Sequence, residues 1–361
     1  MQNFNNKRIL IAPLDWGLGH TTRCVTIVKL LLDKGFFVFV ACNPIQKSIL
    51  EKEFKNIEFL NLKGYNITYS RSPKLFPLKL IAQLPKIVSS IFSEHKWLQK
   101  TVEKHKIDLV ISDNRYGFYT SIAPCVFMTH QLTIKAPLAW LENLLQRINY
   151  SYINRFTQCW VPDYGGDKNI AGLLSHPKKM PTIPVHYIGP LARFKKDDNA
   201  VIRYHYCIIL SGPEPQRTIL EDIILKQLPA LKWDFLLVRG KLNAAPIEIS
   251  LPNVIIKNHL TGLELQAAIN SSAFVITRSG YTSVMELLTL QKKSILIPTP
   301  GQTEQEYLGN QLMHHHWAYC VDQKDFDLID CIEVAKDFAY HLPSFESSSL
   351  SNFLETFLES I

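Results

Sequence analysis

A histidine that follows two glycines is the first residue whose type and position suggest chemistry. The run Arg8–Pro13 predicts a strand, and the apolar spacing over Thr21–Lys34 predicts a helix. Between them, Gly17 and Gly19 let the chain turn sharply and let a ligand approach the backbone. His20 is therefore expected at the helix N-terminus, where the helix dipole favours neutral imidazole, the form that can deprotonate an alcohol. A capping or packing histidine is the alternative from this segment alone.

An aspartate at the end of a second predicted strand offers that histidine a partner. Ile107–Ser112 has the pattern of a strand, and Asp113 terminates it. If the two strands are neighbours, Asp113 lies beside His20, where a carboxylate fixes the imidazole tautomer and stabilises the imidazolium formed during proton transfer. A helix cap or an ion pair with a nearby arginine is the alternative for Asp113. Thr129 and His130 follow the next predicted strand and add polar groups at the same edge, and a structural hydrogen-bonding role is favoured for His130.

The strongest indication of a ligand lies in the second half of the chain. A predicted strand, Phe274–Thr277, leads into a Ser-Gly turn and a predicted helix over Ser283–Leu290. Such a turn presents backbone N–H groups and the positive end of a helix dipole to an anion, so we expect a phosphate there. Glu286, one turn further, is placed to accept hydrogen bonds from a ribose diol. The residues assigned to this anion and ribose site are Arg278, Ser279, Gly280, Thr282, Ser283 and Glu286.

The loop after the next predicted strand, Ser294–Pro298, carries carboxamides and carboxylates. Gln302, Glu304 and Gln305 suit sugar hydroxyls better than phosphates, because a carboxylate repels an anion. A generic capped helix followed by a polar loop is the alternative. It is disfavoured because two such elements follow one another at the ends of adjacent predicted strands.

Two further segments complete the predicted donor site. The residues of the turn that opens the second half are Ser211, Gly212, Gln216 and Arg217. Arg217 is expected to supply positive charge, whereas Pro213 and Pro215 lack N–H groups and weaken the loop as a cradle for a diphosphate. His259, which follows the predicted strand Val254–Lys257, could lie against the base of the donor.

Two domains are needed to position these residues. The chain of 361 residues is long for one core, and strand-like and helical segments alternate in both halves, which is typical of parallel βαβ units. We predict an α/β protein with two doubly wound, Rossmann-like parallel-sheet domains, residues 1–195 and 200–343, that face a cleft. The charged stretch Arg193–Ala200 has the composition of a linker. The amphipathic segment 344–361 is expected to pack back on the first domain.

Composition disfavours several classes of protein and site. A net charge of +7 is mild for this length, and neither a basic tail nor a known motif indicates nucleic-acid binding. Seven scattered cysteines without a C-x-x-C pair argue against disulfides and zinc, and consecutive histidines at His314–His316 would point in different directions on a helix. No metal site is therefore predicted.

The sequence also bears on location. No signal peptide or membrane-spanning run is recognised, so the protein is expected to be cytoplasmic. The basic, apolar segments Pro73–Leu98 and Thr133–Phe156 could contact an acidic membrane from the side, at its inner face. Ordinary amphipathic helices packed on their own sheet are the favoured alternative for both segments.

The segments Arg278–Glu286 and Pro298–Asn310 resemble the donor half of glycosyltransferase family 28, which has the B-type fold. The best-known members add N-acetylglucosamine to the lipid-linked intermediate of peptidoglycan. By this resemblance, Glu286 matches a glutamate that binds ribose and Gln305 a glutamine that contacts the sugar. The Gly17–His20 segment looks like the end of the family's N-terminal glycine-rich loop. The pairing of His20 with Asp113 is instead similar to the dyad of small-molecule glucosyltransferases that share this fold.

The resemblance implies an inverting hexosyltransferase that moves a sugar from a nucleotide sugar, here a UDP-sugar, to a hydroxyl of a sugar, lipid-linked or small-molecule acceptor. His20 would be the base and Asp113 its orienting partner. No metal or other cofactor would be required, because a helix N-terminus and an arginine can stabilise the leaving diphosphate. Two alternatives stay open: a UDP-sugar 2-epimerase of the same fold, and a non-catalytic subunit that binds a nucleotide sugar or a lipid carrier.

Overall fold

The protein divides into two compact units, each built on its own parallel sheet. The computed structural model describes residues 7–68, 79, 82–136, 138–242, 244–247, 251–345 and 349–359. The first unit contains the described residues up to 191 together with 349–359, and the second contains those from 192 to 345. The prediction of two parallel-sheet α/β domains is confirmed.

The first unit has a seven-stranded sheet in the order β3-β2-β1-β4-β5-β6-β7. Its strands are β1 (Arg8–Pro13), β2 (Phe37–Cys42), β3 (Glu58–Asn61), β4 (Leu109–Asp113), β5 (Cys125–Met128), β6 (Gln158–Val161) and β7 (Val185–Tyr187). The helices within residues 7–191 are α1 (Leu18–Asp33), α2 (Pro44–Glu53), α3 (Leu84–His105) and α4 (Ala139–Ile153), with a short 3₁₀ turn at Gly172–Leu174.

The chain order reverses at the centre of this sheet, where β1 lies between β2 and β4. Ile9 pairs with Leu109 and Pro13 with Asp113, all in parallel, so the two strands end side by side. Both strands are almost entirely buried, which explains their near-continuous apolar sequences. In a sheet of this kind, ligands bind beyond the carboxyl ends of the strands at the point where the order reverses.

The second unit has a six-stranded sheet in the order β10-β9-β8-β11-β12-β13. Its strands are β8 (Tyr204–Ile209), β9 (Phe235–Val238), β10 (Val254–Lys257), β11 (Ser272–Thr277), β12 (Lys293–Leu296) and β13 (Tyr319–Cys320). Its helices are α5 (Gln216–Gln227), α6 (Gly262–Asn270), α7 (Tyr281–Thr289), α8 (Thr303–His314) and α9 (Leu328–Asp337), with 3₁₀ turns at Leu228–Ala230 and Gln323–Asp325. Here the order reverses between β8 and β11, which pair through Thr277 and Ile209.

The C-terminal helix α10 (Ser349–Glu359) belongs to the first unit. Its residues Leu350, Leu354 and Leu358 are buried. The rings of Phe353 and Phe357 stand edge-on to Trp160 at the end of β6, with ring centroids 5.3 and 5.1 Å away. The helix thus covers one face of the first sheet at β6.

The stretch Arg193–Ala200, whose charge predicts a linker, is tied to the second unit. The Lys195 backbone N–H donates to Gln266 Oε1, and the Lys195 carbonyl accepts a hydrogen bond from Asn270 Nδ2 over 3.0 Å. Asn270 also accepts a hydrogen bond from the Asp197 backbone N–H through its Oδ1. These side chains of α6 satisfy the backbone of the stretch, a feature that charge density alone does not reveal.

Helices α3 and α4 each expose a row of large apolar side chains. On α3 these are Leu84, Val88 and Phe92, and along α4 they are Leu138, Trp140, Leu144 and Ile148. Exposed Lys96 and Arg147 lie on the same helices. In the part of the chain described here, no helix combines the length and apolarity that crossing a bilayer requires. Lys74 and the rest of residues 73–78, within the segment for which membrane contact is the less favoured alternative, lie outside the described residues.

Candidate active site

His20 and Asp113 meet where β1 and β4 end. Helix α1 begins at Leu18, earlier than the sequence predicts, after Gly17 at a φ of 109° that favours glycine. His20 therefore lies in the first turn of the helix. Its Nδ1 is 3.1 Å from Asp113 Oδ2; the His20 side chain is 15% exposed and that of Asp113 is fully buried. The imidazole can thus reach a substrate while the carboxylate cannot.

Arg23, which sequence reasoning missed, joins this pair. Its Nε donates to Asp113 Oδ2 over 2.9 Å, and its Nη2 donates to the other carboxylate oxygen and lies 2.9 Å from His20 Nδ1. The guanidinium is buried, with 1% of the residue exposed. The spacing of three residues between His20 and Arg23 places both on one helix face, and that signal could have identified it.

The same arginine reaches the other histidine of this edge. Arg23 Nη1 lies 3.0 Å from His130 Nδ1, and His130 is 4% exposed. Thr129 is also buried, and its Oγ1 accepts the backbone N–H of Gln131. Of the four acceptor-side residues that the sequence singles out, Thr129 and His130 thus lie inside the unit. Gly17 and Gly19 lie at its surface, in the turn before His20.

Burial is the main cause of the electrostatic state of the pair. Removal from water lowers the pKa of His20; the nearby Asp113 opposes this and Arg23 adds to it. The imidazole is therefore neutral, and burial is the largest cause. Burial alone would raise the pKa of Asp113, yet the Arg23 guanidinium and His20 hold it well below its ordinary value. Asp113 is accordingly an ionised carboxylate.

The turn before His20 is anchored by a second buried network. Arg115, the arginine that could have paired with Asp113, instead contacts Asp15 and Glu94. Asp15 accepts the backbone N–H of Tyr65 over 3.1 Å. A Cβ on Gly64 would lie 2.2 Å from Asp15 Oδ2, so only glycine allows this approach. The network fixes the residues that lead from β1 into the turn before His20.

In the second unit, the predicted anion turn stands at the N-terminus of α7. Gly280 is the residue before the helix, and no side chain caps it. Ser279 is buried and donates its Oγ to the carbonyl of Gln305 over 2.8 Å. Thr282 and Ser283 lie in the first turn of the helix and are partly exposed. The helix dipole and the first-turn backbone make this end suitable for an anion.

Both arginines predicted for the donor site turn their charge into the protein. Arg278 is 1% exposed, and its guanidinium donates to the carbonyls of Ile297, Pro298 and Gln216. Arg217 is 4% exposed and pairs with Glu214 and Glu221. This differs from the charge-supplying role expected of Arg217, because two carboxylates already balance it. Sequence shows the residue types at strand ends but not which way their side chains turn.

The loop around Gly212 does not offer a free helix end. At the start of α5, the backbone N–H of Arg217 bonds the Pro213 carbonyl, and the N–H of Thr218 bonds the Glu214 carboxylate. Gly212, at a φ of 99°, faces Thr299, whose buried Oγ1 has no hydrogen-bond partner among the residues that the structure describes. Ser211 is partly exposed and Gln216 buried. The backbone N–H groups of Arg217 and Thr218 are thus already bonded within the chain.

The predicted sugar-binding loop is ordered by its own glutamines. Gln305 accepts the Thr299 backbone N–H through Oε1 and donates through Nε2 to Gln302 Oε1, 2.5 Å away. Gln305 is 8% exposed, whereas Gln302 and Glu304 are partly exposed. Gln305 is placed to orient the loop, and Gln302 presents more of its side chain to a ligand. His259 is also partly exposed, between β10 and α6.

Glu286, the predicted ribose ligand, has a partner that the sequence did not indicate. Arg193 Nε donates to Glu286 Oε1 over 2.6 Å. The Arg193 side chain is 14% exposed and that of Glu286 is 8% exposed. Among the arginines near the anion turn, Arg193 is more exposed than either Arg217 or Arg278. The structure therefore adds one cation to the residues around Glu286.

Comparison with known proteins identifies the chemistry of this scaffold. Residues 214–350 match the model of the glycosyltransferase family 28 C-terminal domain. A Clostridium tetani UDP-N-acetylglucosamine–N-acetylmuramyl-(pentapeptide) pyrophosphoryl-undecaprenol N-acetylglucosamine transferase is 23% identical over 82% of this chain and 78% of its own. The solved structure of MurG from Acinetobacter baumannii superimposes with a TM-score of 0.54, 12% identity and coverage of 99% and 100% of the two chains. The chain is a family 28-like glycosyltransferase of the B-type fold.

Other relatives of this glycosyltransferase agree. An uncharacterised glycosyltransferase of Methanosarcina acetivorans is 23% identical over 83% of this chain and 81% of its own. The structure of the kitacinnamycin glycosyltransferase has a TM-score of 0.63 at 14% identity, covering 98% of this chain and 94% of that one. The glycosyltransferase therefore transfers a sugar from a nucleotide-sugar donor. Within the described residues, no group of three or more histidine, cysteine, aspartate or glutamate side chains is arranged to hold a metal.

Proposed function

We propose that the protein is an inverting glycosyltransferase that uses His20 as general base and a UDP-sugar as donor. The observation that carries this proposal is the His20–Asp113 pair, 3.1 Å apart at the carboxyl ends of β1 and β4. His20 Nε2 takes the proton of the acceptor hydroxyl as its oxygen attacks the anomeric carbon. The bond from that carbon to the donor phosphate oxygen breaks, and the nucleoside diphosphate leaves. Asp113 holds the imidazole and stabilises the imidazolium.

The second unit supplies the groups that suit the donor. The uncapped N-terminus of α7 would face the diphosphate, and Glu286 would bind the ribose hydroxyls. The glutamine pair of the α8 loop would hold the sugar, and His259 would contact the base. A helix N-terminus stabilises the leaving group without a metal, and Arg193 beside Glu286 adds positive charge. We therefore propose a reaction that needs no metal cofactor.

Product analysis tests the function as a whole. Incubation with UDP-sugars and a panel of sugar, lipid-linked and small-molecule acceptors should release UDP only when an acceptor is present. The glycosidic product should have the inverted anomeric configuration. Isomerisation of the donor at C2 in the absence of acceptor would identify an epimerase and contradict the proposal.

We expect Glu286→Ala to weaken UDP binding by about 1–3 kcal/mol, because ribose hydroxyls buried in the complex would lose their acceptor. Isothermal titration calorimetry with UDP measures the change. Glu333→Ala, which removes an exposed carboxylate on α9 paired only with Lys336 in the described contacts, is the control and should leave affinity unaltered. Equal affinities for Glu286→Ala and the unmodified protein would show that the ribose binds elsewhere.

The exposed apolar rows on α3 and α4 support a lipid-linked acceptor and peripheral binding to an acidic membrane. Trp140 and Phe92 are 64% and 62% exposed, an unusual state for aromatic side chains, and basic residues accompany both rows. The protein should co-sediment with vesicles that contain phosphatidylglycerol, and Phe92→Ser with Trp140→Ser should reduce the bound fraction at least tenfold, since each ring contributes about 1.5–3 kcal/mol. Val334→Ser, at an exposed site on α9, is the control. Vesicle binding that survives the double substitution would remove these helices from the membrane contact.

A further inference from the structure

We propose that Arg23 is a positioning residue that decides which nitrogen of His20 carries the proton, and so when His20 can act as base. The inference rests on the proposed function, because it concerns the availability of the His20 lone pair. Arg23 is too deeply buried to touch a substrate directly. It acts through the two side chains that it contacts.

Two side chains compete for a hydrogen bond with the same nitrogen, His20 Nδ1. Asp113 Oδ2 lies 3.1 Å from this nitrogen and Arg23 Nη2 lies 2.9 Å from it. An ionised carboxylate only accepts hydrogen bonds, and a guanidinium only donates them. Contact with Asp113 requires a proton on Nδ1, whereas contact with Arg23 requires a lone pair there. One neutral imidazole cannot satisfy both partners at once.

Two arrangements follow, and they differ in chemistry. When Nδ1–H donates to Asp113, Nε2 carries a lone pair and can accept a proton from an acceptor hydroxyl. When Arg23 donates to Nδ1, Nε2 carries the proton and His20 is not a base. Arg23 keeps its contacts with both oxygens of Asp113 in either arrangement, through Nε to Oδ2 and through Nη2 to the second oxygen. A guanidinium nitrogen held 2.9 Å from Nδ1 favours a lone pair at that position, so the resting tautomer is the one that does not abstract protons.

Charged and titratable groups from three parts of the first unit surround His20. Asp113 comes from β4, Arg23 and Cys24 from α1, and His130 from the segment after β5. Burial lowers the pKa of His20, Asp113 opposes the effect, and Arg23 and His130 reinforce it. Since Arg23 neutralises Asp113, the imidazolium gains less from the carboxylate than it would from an unpaired one. Removal of the Arg23 charge should therefore stabilise the imidazolium.

The pH dependence of kcat/KM tests the charge part of this inference. In Arg23→Gln, the acidic limb should move to higher pH by about one unit, because a cation within a few ångströms of His20 is lost. Arg155→Gln, which removes an exposed arginine stacked on Tyr152, should leave the limb in place. If folded Arg23→Gln kept the acidic limb of its kcat/KM profile at the same pH, the claim that the Arg23 charge acts on His20 would be overturned.

Nitrogen NMR of the protein labelled with ¹⁵N-histidine tests the tautomer part and needs no activity. In the unmodified protein, neutral His20 should show an unprotonated Nδ1. In Arg23→Lys, which keeps the charge and the partner of Asp113 but not the planar fork, the signal should shift toward the Nδ1–H form. A resting His20 that is already wholly Nδ1–H would overturn the inference. Because this readout does not depend on turnover, it separates the role of Arg23 from the question whether His20 is the base.

Discussion

His20→Ala should lower kcat by about 10²–10⁴-fold, the range that general-base catalysis contributes. UDP affinity should change little, because the proposed base meets the acceptor hydroxyl and not the nucleotide. Steady-state kinetics give the turnover and calorimetry with UDP gives the affinity. His205→Ala, at a half-exposed histidine on the second sheet, is the matched control and should retain normal turnover.

Normal turnover in His20→Ala would move the base elsewhere while leaving the family and the donor half intact. His130 would be the next residue to test, since it is the other histidine bonded to Arg23. Its burial, at 4% exposure, makes it a poor contact for an acceptor in the present arrangement.

Asp113→Ala should lower the free energy of unfolding by about 3–5 kcal/mol, because it leaves the Arg23 guanidinium buried without a counterion. From the sequence, Asp113 is the orienting partner of His20, and an ion pair with Arg23 is not among the alternatives. Urea unfolding measures the change in the free energy of unfolding. Asp33→Ala, at the exposed last residue of α1, the helix that carries Arg23, provides the control. An unfolding free energy close to that of the unmodified protein would mean that water or another group takes the place of the carboxylate.

The stability that the Asp113–Arg23 ion pair contributes should also depend on pH. The folded state holds the pKa of Asp113 below its ordinary value, so the ion pair contributes fully above pH of about 4 and is lost as pH falls further. His20 acts in the same direction at higher pH, because its lowered pKa makes the folded state bind fewer protons than the unfolded chain below about 6.5. Stability should therefore fall on acidification, and less steeply in Asp113→Ala.

Much of the architecture was accessible from sequence because buried parallel strands leave a direct record. The predicted strand Val254–Lys257 has the same bounds in the structure, and the predicted strand Phe274–Thr277 lies within the observed strand Ser272–Thr277. Short edge strands are harder to recognise in the sequence. Strands β7 and β13 have three and two residues, too few to show an alternation of apolar and polar side chains. The strand ends that bring Asp113 to His20 followed from the same apolar pattern.

The partners of the charged residues could not be predicted in the same way. Arg217 and Arg278 stand at the expected places in the chain, but Arg217 pairs with Glu214 and Glu221 of its own helix region, and Arg278 donates to the Gln216 carbonyl, 62 residues away. The sequence predicts that Arg193 belongs to a solvated linker, whereas in the structure it contacts Glu286, 93 residues later. Residue type and spacing indicate which groups gather at a sheet edge, whereas side-chain direction depends on packing that only the folded chain defines.

The position of α10 has a consequence for how the protein is made. The helix that covers Trp160 leaves the ribosome only after the whole of residues 192–345 has been synthesised. At ordinary translation speeds this delay is on the order of 10 s, longer than most domains need to fold. The second unit can therefore reach its native state while the first still exposes an indole and its apolar surroundings. The nascent chain is most exposed to chaperones and to aggregation in that interval, which lasts until α10 has been translated and packs on Trp160.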